Sequence, residues 1–184
     1  MKKRVVYLAG LISTDHPKSL EWRREVTPTL EEAGFEVRDP LAGKGNIKCL
    51  TSDGGMTVTN TPNRAILLRD RQDVREADII LANLDLFDSG RPMLGTIAEL
   101  GWAWDAQKPV VAYVPLLGDH PKPIDKGGKI VFVFASLEEH EKRKKHISLM
   151  LGHPFMSEFV TKYVRELPAA VDFIIDYYGQ NKAV

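Results

Sequence analysis

Between Pro92 and Trp104 the chain reads PMLGTIAELGWAW, and Glu99 is its one ionisable side chain. An ionised carboxyl buried without partners is costly, so such a group is hydrogen-bonded, protonated or functional. Either Glu99 faces a pocket as a reactive carboxylate, or it points to solvent from the polar side of a helix or caps a neighbouring loop. Gly95 and Gly101 flank it and let a backbone or ligand approach closely. A second acidic group lies in Arg69-Asp70-Arg71-Gln72-Asp73, where Asp70 and Asp73 share a helix face. Local pairing with arginines on a solvated helix is the ordinary outcome there, and a functional acid the other. Past a strand end, Asp85-Leu86-Phe87-Asp88-Ser89-Gly90 makes a turn or holds sugar hydroxyls, because a carboxylate accepts two hydrogen bonds from a diol. Tyr7 lies in an apolar run, and its hydroxyl must find a partner if buried.

Stronger motifs for other chemistries are missing. The sequence has no Walker loop, no Gly-x-Gly-x-x-Gly after a strand, no nucleophile elbow and no His-Glu-x-x-His. His140 and His146 are too far apart in sequence to share one helical metal-binding face, so no metal is expected. The basic run Lys142 to Lys145 reads as a solvated face rather than a phosphate-binding patch, since Glu138, Glu139 and Glu141 each precede a basic residue by one helical turn.

Short β-branched runs alternate with helical patterns, the signature of strands and crossover helices in a mainly parallel sheet. The strands are Val5–Ala9, Phe35–Val37, Ile79–Ala82, Val110–Tyr113 and Ile130–Phe134. The helices are Pro17–Ala33, with a kink at Thr27-Pro28 and a stop at Gly34, then Asn63–Ala77, Leu94–Gln107 and Leu167–Tyr178. Asp39 to Pro62 is too long for an ordinary connection and reads as a substrate-covering or locally mobile loop, and Pro115 to Lys129 is a second loop. In open parallel sheets ligands sit beyond the carboxyl ends of the strands, so chemistry belongs in the loops after Ala9, Val37, Ala82 and Tyr113.

The whole chain fits this as a single domain over 1–184: it has 184 residues, 43% of them apolar, and needs neither disulfide nor metal to fold. Cys49 is the lone cysteine, which suits a reducing cytoplasm. The start Met1-Lys2-Lys3-Arg4 imitates a signal peptide, but its apolar stretch ends at Ser13-Thr14-Asp15 without a cleavage pattern. No run is long enough to span a bilayer. With 25 basic against 25 acidic side chains, the balance argues against a nucleic-acid polymer as partner.

Taken together, YLAG at 7–10, the Asp70 helix leading into ADIILANLD, and GTIAELGWAWDAQKPVV resemble the nucleoside 2-deoxyribosyltransferase family, over roughly the first two-thirds of the chain. The resemblance implies a flavodoxin-like (Rossmann-like) α/β three-layer sandwich with a mainly parallel five-stranded sheet. It also implies cleavage of an N-glycosidic bond through a covalent glycosyl intermediate, without a cofactor. Glu99 would be the nucleophile, Tyr7 would hydrogen-bond and orient its carboxylate, and Asp70 would exchange a proton with the base. Gly10, Asp88, Ser89, Gly95 and His153 would contact substrate, namely nucleosides and free nucleobases.

The chain departs from the family in three places. Asp88-Ser89-Gly90 stands farther from Glu99 than the family's sugar-binding loop does, leaving open which of Asp88 and Ser89 touches the sugar. His153 in HPFM stands where many members insert a neighbouring subunit's asparagine, and is either structural or a ligand. The end Gln180-Asn181-Lys182-Ala183-Val184 lacks a terminal aromatic, so no C-terminal role is expected. Family members associate as dimers or larger oligomers; Trp102, Trp104 and Tyr177 would serve such contacts or fill the chain's own core. The expectation is a homo-oligomeric, cytoplasmic deoxyribosyltransferase. The alternatives are a nucleoside 5′-monophosphate hydrolase, with Ser89, Arg91 and His153 on the phosphate, and a non-catalytic nucleotide-binding module.

Overall fold

The computed structural model describes residues 2–13, 18–42, 47–48, 57–58, 63–85, 93–115, 122–125, 130–133, 145, 148 and 152–179. The chain forms two compact units, one of residues 1–114 with 159–184 and one of residues 115–158.

The first unit is built on β1 (Val5–Gly10), β2 (Glu36–Arg38), β5 (Ile79–Asn83), β6 (Val110–Tyr113) and β9 (Lys162–Val164), in the order β2-β1-β5-β6-β9 with every pairing parallel. Counted along the sheet this is the flavodoxin-like order 2-1-3-4-5, whose direction reverses beside β1, where such folds open a ligand crevice. All six residues of β1 and all five of β5 are buried, as strands covered on both faces must be. On one face, α1 (Lys18–Glu32) and the last helix, Leu167–Tyr178, enclose a core of Val6, Leu8, Trp22, Val26, Leu30, Phe35, Ile79, Leu81, Val111, Ala170, Val171 and Ile174. On the other, α2 (Asn63–Glu76) and α3 (Leu94–Asp105) pack together and against β1. The fold is the expected α/β sandwich with a five-stranded parallel sheet.

One strand is corrected. Ile130–Val133 is β8 of the second unit and pairs antiparallel with β7, Lys122–Asp125, rather than joining the parallel sheet. The fifth strand is instead Lys162–Val164, secured by the Thr161 N–H to the Val110 carbonyl (2.9 Å) and the Val114 N–H to the Val164 carbonyl (2.8 Å). The second unit also contains most of α4, Pro154–Phe159. Within the Asp39–Pro62 segment, β3 (Ile47–Lys48) pairs antiparallel with β4 (Thr57–Val58).

Two helices of the first unit stop in the same way. After α1 the Gly34 N–H bonds the Glu31 carbonyl and the Phe35 N–H bonds that of Leu30, with Gly34 at φ +92°. After α3 the Gln107 N–H bonds the Trp104 carbonyl and the Lys108 N–H bonds that of Ala103, with Gln107 at φ 54°. Both are Schellman ends, which favour glycine at the left-handed position.

Candidate active site

Glu99 lies in the second turn of α3 on the stripe Thr96, Glu99, Leu100, Ala103, the buried face of the helix. It does not point to solvent: 9% of its surface is exposed, against none of Tyr7. The Tyr7 hydroxyl donates to Glu99 Oε1 at 2.6 Å, joining the middle of β1 to α3. Burial, the Glu99 charge, the hydrogen bond to it and the Asp70 charge all push the Tyr7 phenol far above its usual range, with Arg23 pulling weakly the other way. The phenol therefore remains a proton donor to Glu99 across the neutral range.

Asp70 is carried on α2, and neighbouring side chains fix that helix. Arg69 donates to the carbonyls of Pro40 and Ala42 and pairs with Asp70 (3.5 Å) and Asp73 (3.7 Å). Arg38 on β2 reaches Asp73 (3.2 Å) and Glu76 (2.6 Å). The two acids of the cluster thus differ: Asp73 belongs to the arginine network, whereas Asp70, with 14% of its side chain exposed, also acts electrostatically on Tyr7. Asp78 holds the start of β1, accepting from the Val5 N–H at 2.8 Å.

The loop leaving β1 is fixed from below. A side chain at Gly10 would begin 3.0 Å from Trp22 Cζ2 and 3.1 Å from the Asn83 carbonyl oxygen, so the close approach of β1, β5 and α1 requires glycine. The Ser13 N–H donates to Ser19 Oγ at 3.0 Å, and the Ser19 hydroxyl returns a bond to the Ser13 carbonyl at 2.8 Å. Asn83 is buried at the end of β5 and accepts from the Asp85 N–H at 2.9 Å, starting the turn into the next loop. Among the described residues no group of three or more His, Cys, Asp and Glu is arranged to hold a metal ion.

The nucleoside 2-deoxyribosyltransferase family model matches residues 6–150, which include the Tyr7, Asp70 and Glu99 positions. The chain belongs to this family. No curated protein sequence matches it. Among solved structures, the 2-deoxyribosyltransferase from Leishmania mexicana is 18% identical with a TM-score of 0.55, the match covering 95% of this chain and 99% of that one. The 2-deoxyribosyltransferase from Bacillus psychrosaccharolyticus is 16% identical with a TM-score of 0.52, covering 91% and 90%. At such identities the likeness is one of fold.

The residues expected of a deoxyribosyltransferase are distributed unevenly. Tyr7 and Glu99 are in contact, and Asp70 lies within electrostatic reach of Tyr7. Gly95 occupies the first turn of α3 with open space where a side chain would stand. Asp88, Ser89 and Arg91 lie outside the described residues, as do the helix expected around Glu138 to Arg143 and most of the Asp39–Pro62 segment. His153 belongs to the second unit, where its Nδ1 accepts from the Phe155 N–H at 3.3 Å and its ring meets that of Phe155 edge-on. Trp104 and Tyr177 are exposed, 56% and 73%, while Trp102 is half-buried. Among the described residues no helix is long and apolar enough to cross a membrane.

Sequence reasoning missed Arg23, which is completely buried. The available signal was its position: Ser19, Arg23, Val26 and Leu30 lie at one-turn spacing on the buried face of α1, so an arginine occupies a core position.

Proposed function

We propose that the protein exchanges the base of 2′-deoxynucleosides through a covalent 2-deoxyribosyl–Glu99 intermediate. The observation that carries this is the buried Tyr7–Glu99 pair, a carboxylate oriented by a neutral phenol inside a family whose members transfer deoxyribose. Glu99 attacks C1′ from the face opposite the base; the C–O ester bond forms as the C1′–N bond breaks, and Asp70 delivers a proton to the departing base. In the second half-reaction an acceptor base loses its proton to Asp70 and attacks C1′ as the ester bond breaks. Two inversions give net retention. The Tyr7 hydroxyl holds one carboxylate oxygen of Glu99 and so directs the other at the sugar. Association of copies belongs to the same reading. Leu67 and Leu68 on α2 and Leu94 and Trp104 on α3 are large exposed apolar side chains on two packed helices, suited to contact a second copy.

Incubation with deoxyinosine, with and without adenine, tests the reaction. Deoxyadenosine formed only with adenine supports transfer; free deoxyribose released regardless of acceptor replaces transfer with hydrolysis. Glu99→Ala is expected to abolish base release while nucleoside still binds. Mass spectrometry after reaction with a slow fluorinated deoxynucleoside is expected to find the sugar on Glu99. No adduct there, or neither exchange nor hydrolysis by the wild type, overturns the proposal.

A further inference from the structure

Arg23 sits among exposed neighbours, Glu21, Arg24 and Glu25, yet its own side chain has no exposed surface. Its guanidinium donates to the carbonyls of Ser19 (2.6 Å), Gly10 (2.8 Å), Leu8 (3.4 Å) and Leu11 (3.4 Å), and its Nε lies 3.6 Å from Asp39 Oδ1. Three of those carbonyls belong to one short stretch, the end of β1 and the first residue beyond it. The Ser13–Ser19 pair, one turn earlier on α1, fastens the same stretch two residues farther on. Asp39 follows β2, so one side chain joins the exits of two neighbouring strands at the sheet end where ligands of such folds bind.

Packing alone does not call for this arrangement. A buried ion pair is weak evidence for stability, and an apolar side chain of similar volume commonly serves as well or better. The fork does two things an apolar residue cannot. It holds the carbonyls of Leu8, Gly10 and Leu11, which fixes the path of the chain out of β1, and it places a positive charge in the interior within electrostatic reach of Tyr7 and Glu99. Burial pulls the Arg23 guanidinium down from its ordinary value, while Asp39, Glu99 and Tyr7 oppose that fall. The charged and titratable groups around the Glu99 carboxyl include Tyr7 from β1, Arg23 from α1 and, through its charge on Tyr7, Asp70 from α2.

We propose that Arg23 is a positioning residue for this site: its fork fixes the segment Leu8–Leu11 at the exit of β1, and its charge, shared with Asp39, favours the ionised form of Glu99. The inference rests on the assignment of Glu99 as the reacting carboxylate.

The test is the pH dependence of kcat/KM for base release, with kcat and KM separated, in the wild type, Arg23→Met, Arg23→Lys and Asp39→Asn. Removing the charge in Arg23→Met is expected to move the acid limb up by about one pH unit. Asp39→Asn leaves an acceptor for the Leu41 N–H but no longer neutralises Arg23, so its acid limb is expected to move down. Arg23→Lys keeps the charge without the planar fork; its acid limb is expected to stay near that of the wild type while KM rises about tenfold through the loosened loop. Opposite movements of the acid limb in Arg23→Met and Asp39→Asn are not produced by a merely structural role. An active wild type whose acid limb is unmoved in both variants overturns this inference and leaves the transferase reading intact. If Arg23→Met does not fold, the Asp39→Asn profile decides: an acid limb that stays or rises overturns the inference. A wild type without any base release defeats the transferase reading, and this inference with it.

Discussion

Tyr7 and Glu99 join β1 to α3 through one short hydrogen bond, and its chemistry fixes what a change at either residue does. Tyr7→Phe keeps the ring volume and deletes the donor at 2.6 Å. Base release is expected to fall by about 100-fold, as removal of a group that orients a catalytic partner does. The same variant has a stability signature. The folded phenol holds its proton well above pH 10, whereas the unfolded one releases it near that value, so the folded state binds more protons in alkali. Stability is full below about pH 10 and declines above it by up to about 1.4 kcal/mol per unit. Urea unfolding across that range is expected to show a steeper alkaline loss in the wild type than in Tyr7→Phe. The burial of Glu99 was legible as one of two outcomes because a solitary acid in an apolar helix demands an explanation. Arg23 was not: GluTrpArgArgGlu reads as an exposed charged turn, and what neutralises Arg23 is backbone carbonyls and the distant Asp39, which no local pattern reveals. Gly10→Ala puts a methyl group against Trp22 and the Asn83 carbonyl. It is expected to destabilise by about 1–3 kcal/mol in urea unfolding and to slow base release by shifting the loop after β1.

At the scale of elements, boundaries were read well where a periodic pattern met a clear stop. Leu167–Tyr178 and Val110–Tyr113 are observed over the lengths expected, and α1, α2 and α3 differ only at their ends. The strand at Ile130 misled because an apolar β-branched run says nothing about which sheet it joins. Lys162-Tyr163-Val164 was invisible for the opposite reason, being a three-residue edge strand with two exposed members. The two Schellman ends supply a paired prediction. Gly34→Ala forces a side chain into a left-handed conformation and is expected to cost about 1 kcal/mol. Gln107→Gly relieves the same conformation after α3 and is expected to gain up to about 1 kcal/mol. Thermal unfolding of both variants checks the opposite signs, and a Gln107→Gly variant less stable than wild type would show that the glutamine side chain offsets its backbone.

For the whole molecule, the family and the fold class were legible because YLAG, the Asp70 helix and the Glu99 segment occur in the family's sequence order. The separation of residues 115–158 as a compact unit of its own carries no comparable marker in composition. Assembly is tested at Trp104, whose exposed ring lies 6.2 Å from that of Phe159. Trp104→Glu is expected to shift sedimentation toward smaller species with the far-ultraviolet circular dichroism unchanged. An identical sedimentation profile would exclude this face from any subunit contact.

The insertion of that second unit between β6 and β9 governs how the protein is born. On the ribosome, β1, β2, β5 and β6 emerge first, leaving the outer edge of Val110–Tyr113 bare and the places of Ala170, Val171 and Ile174 empty. The partner strand follows only after about 50 further residues, on the order of several seconds of synthesis. Through that interval the nascent chain displays an open β edge beside a half-covered apolar face, the surface that chaperones shield and that aggregation exploits.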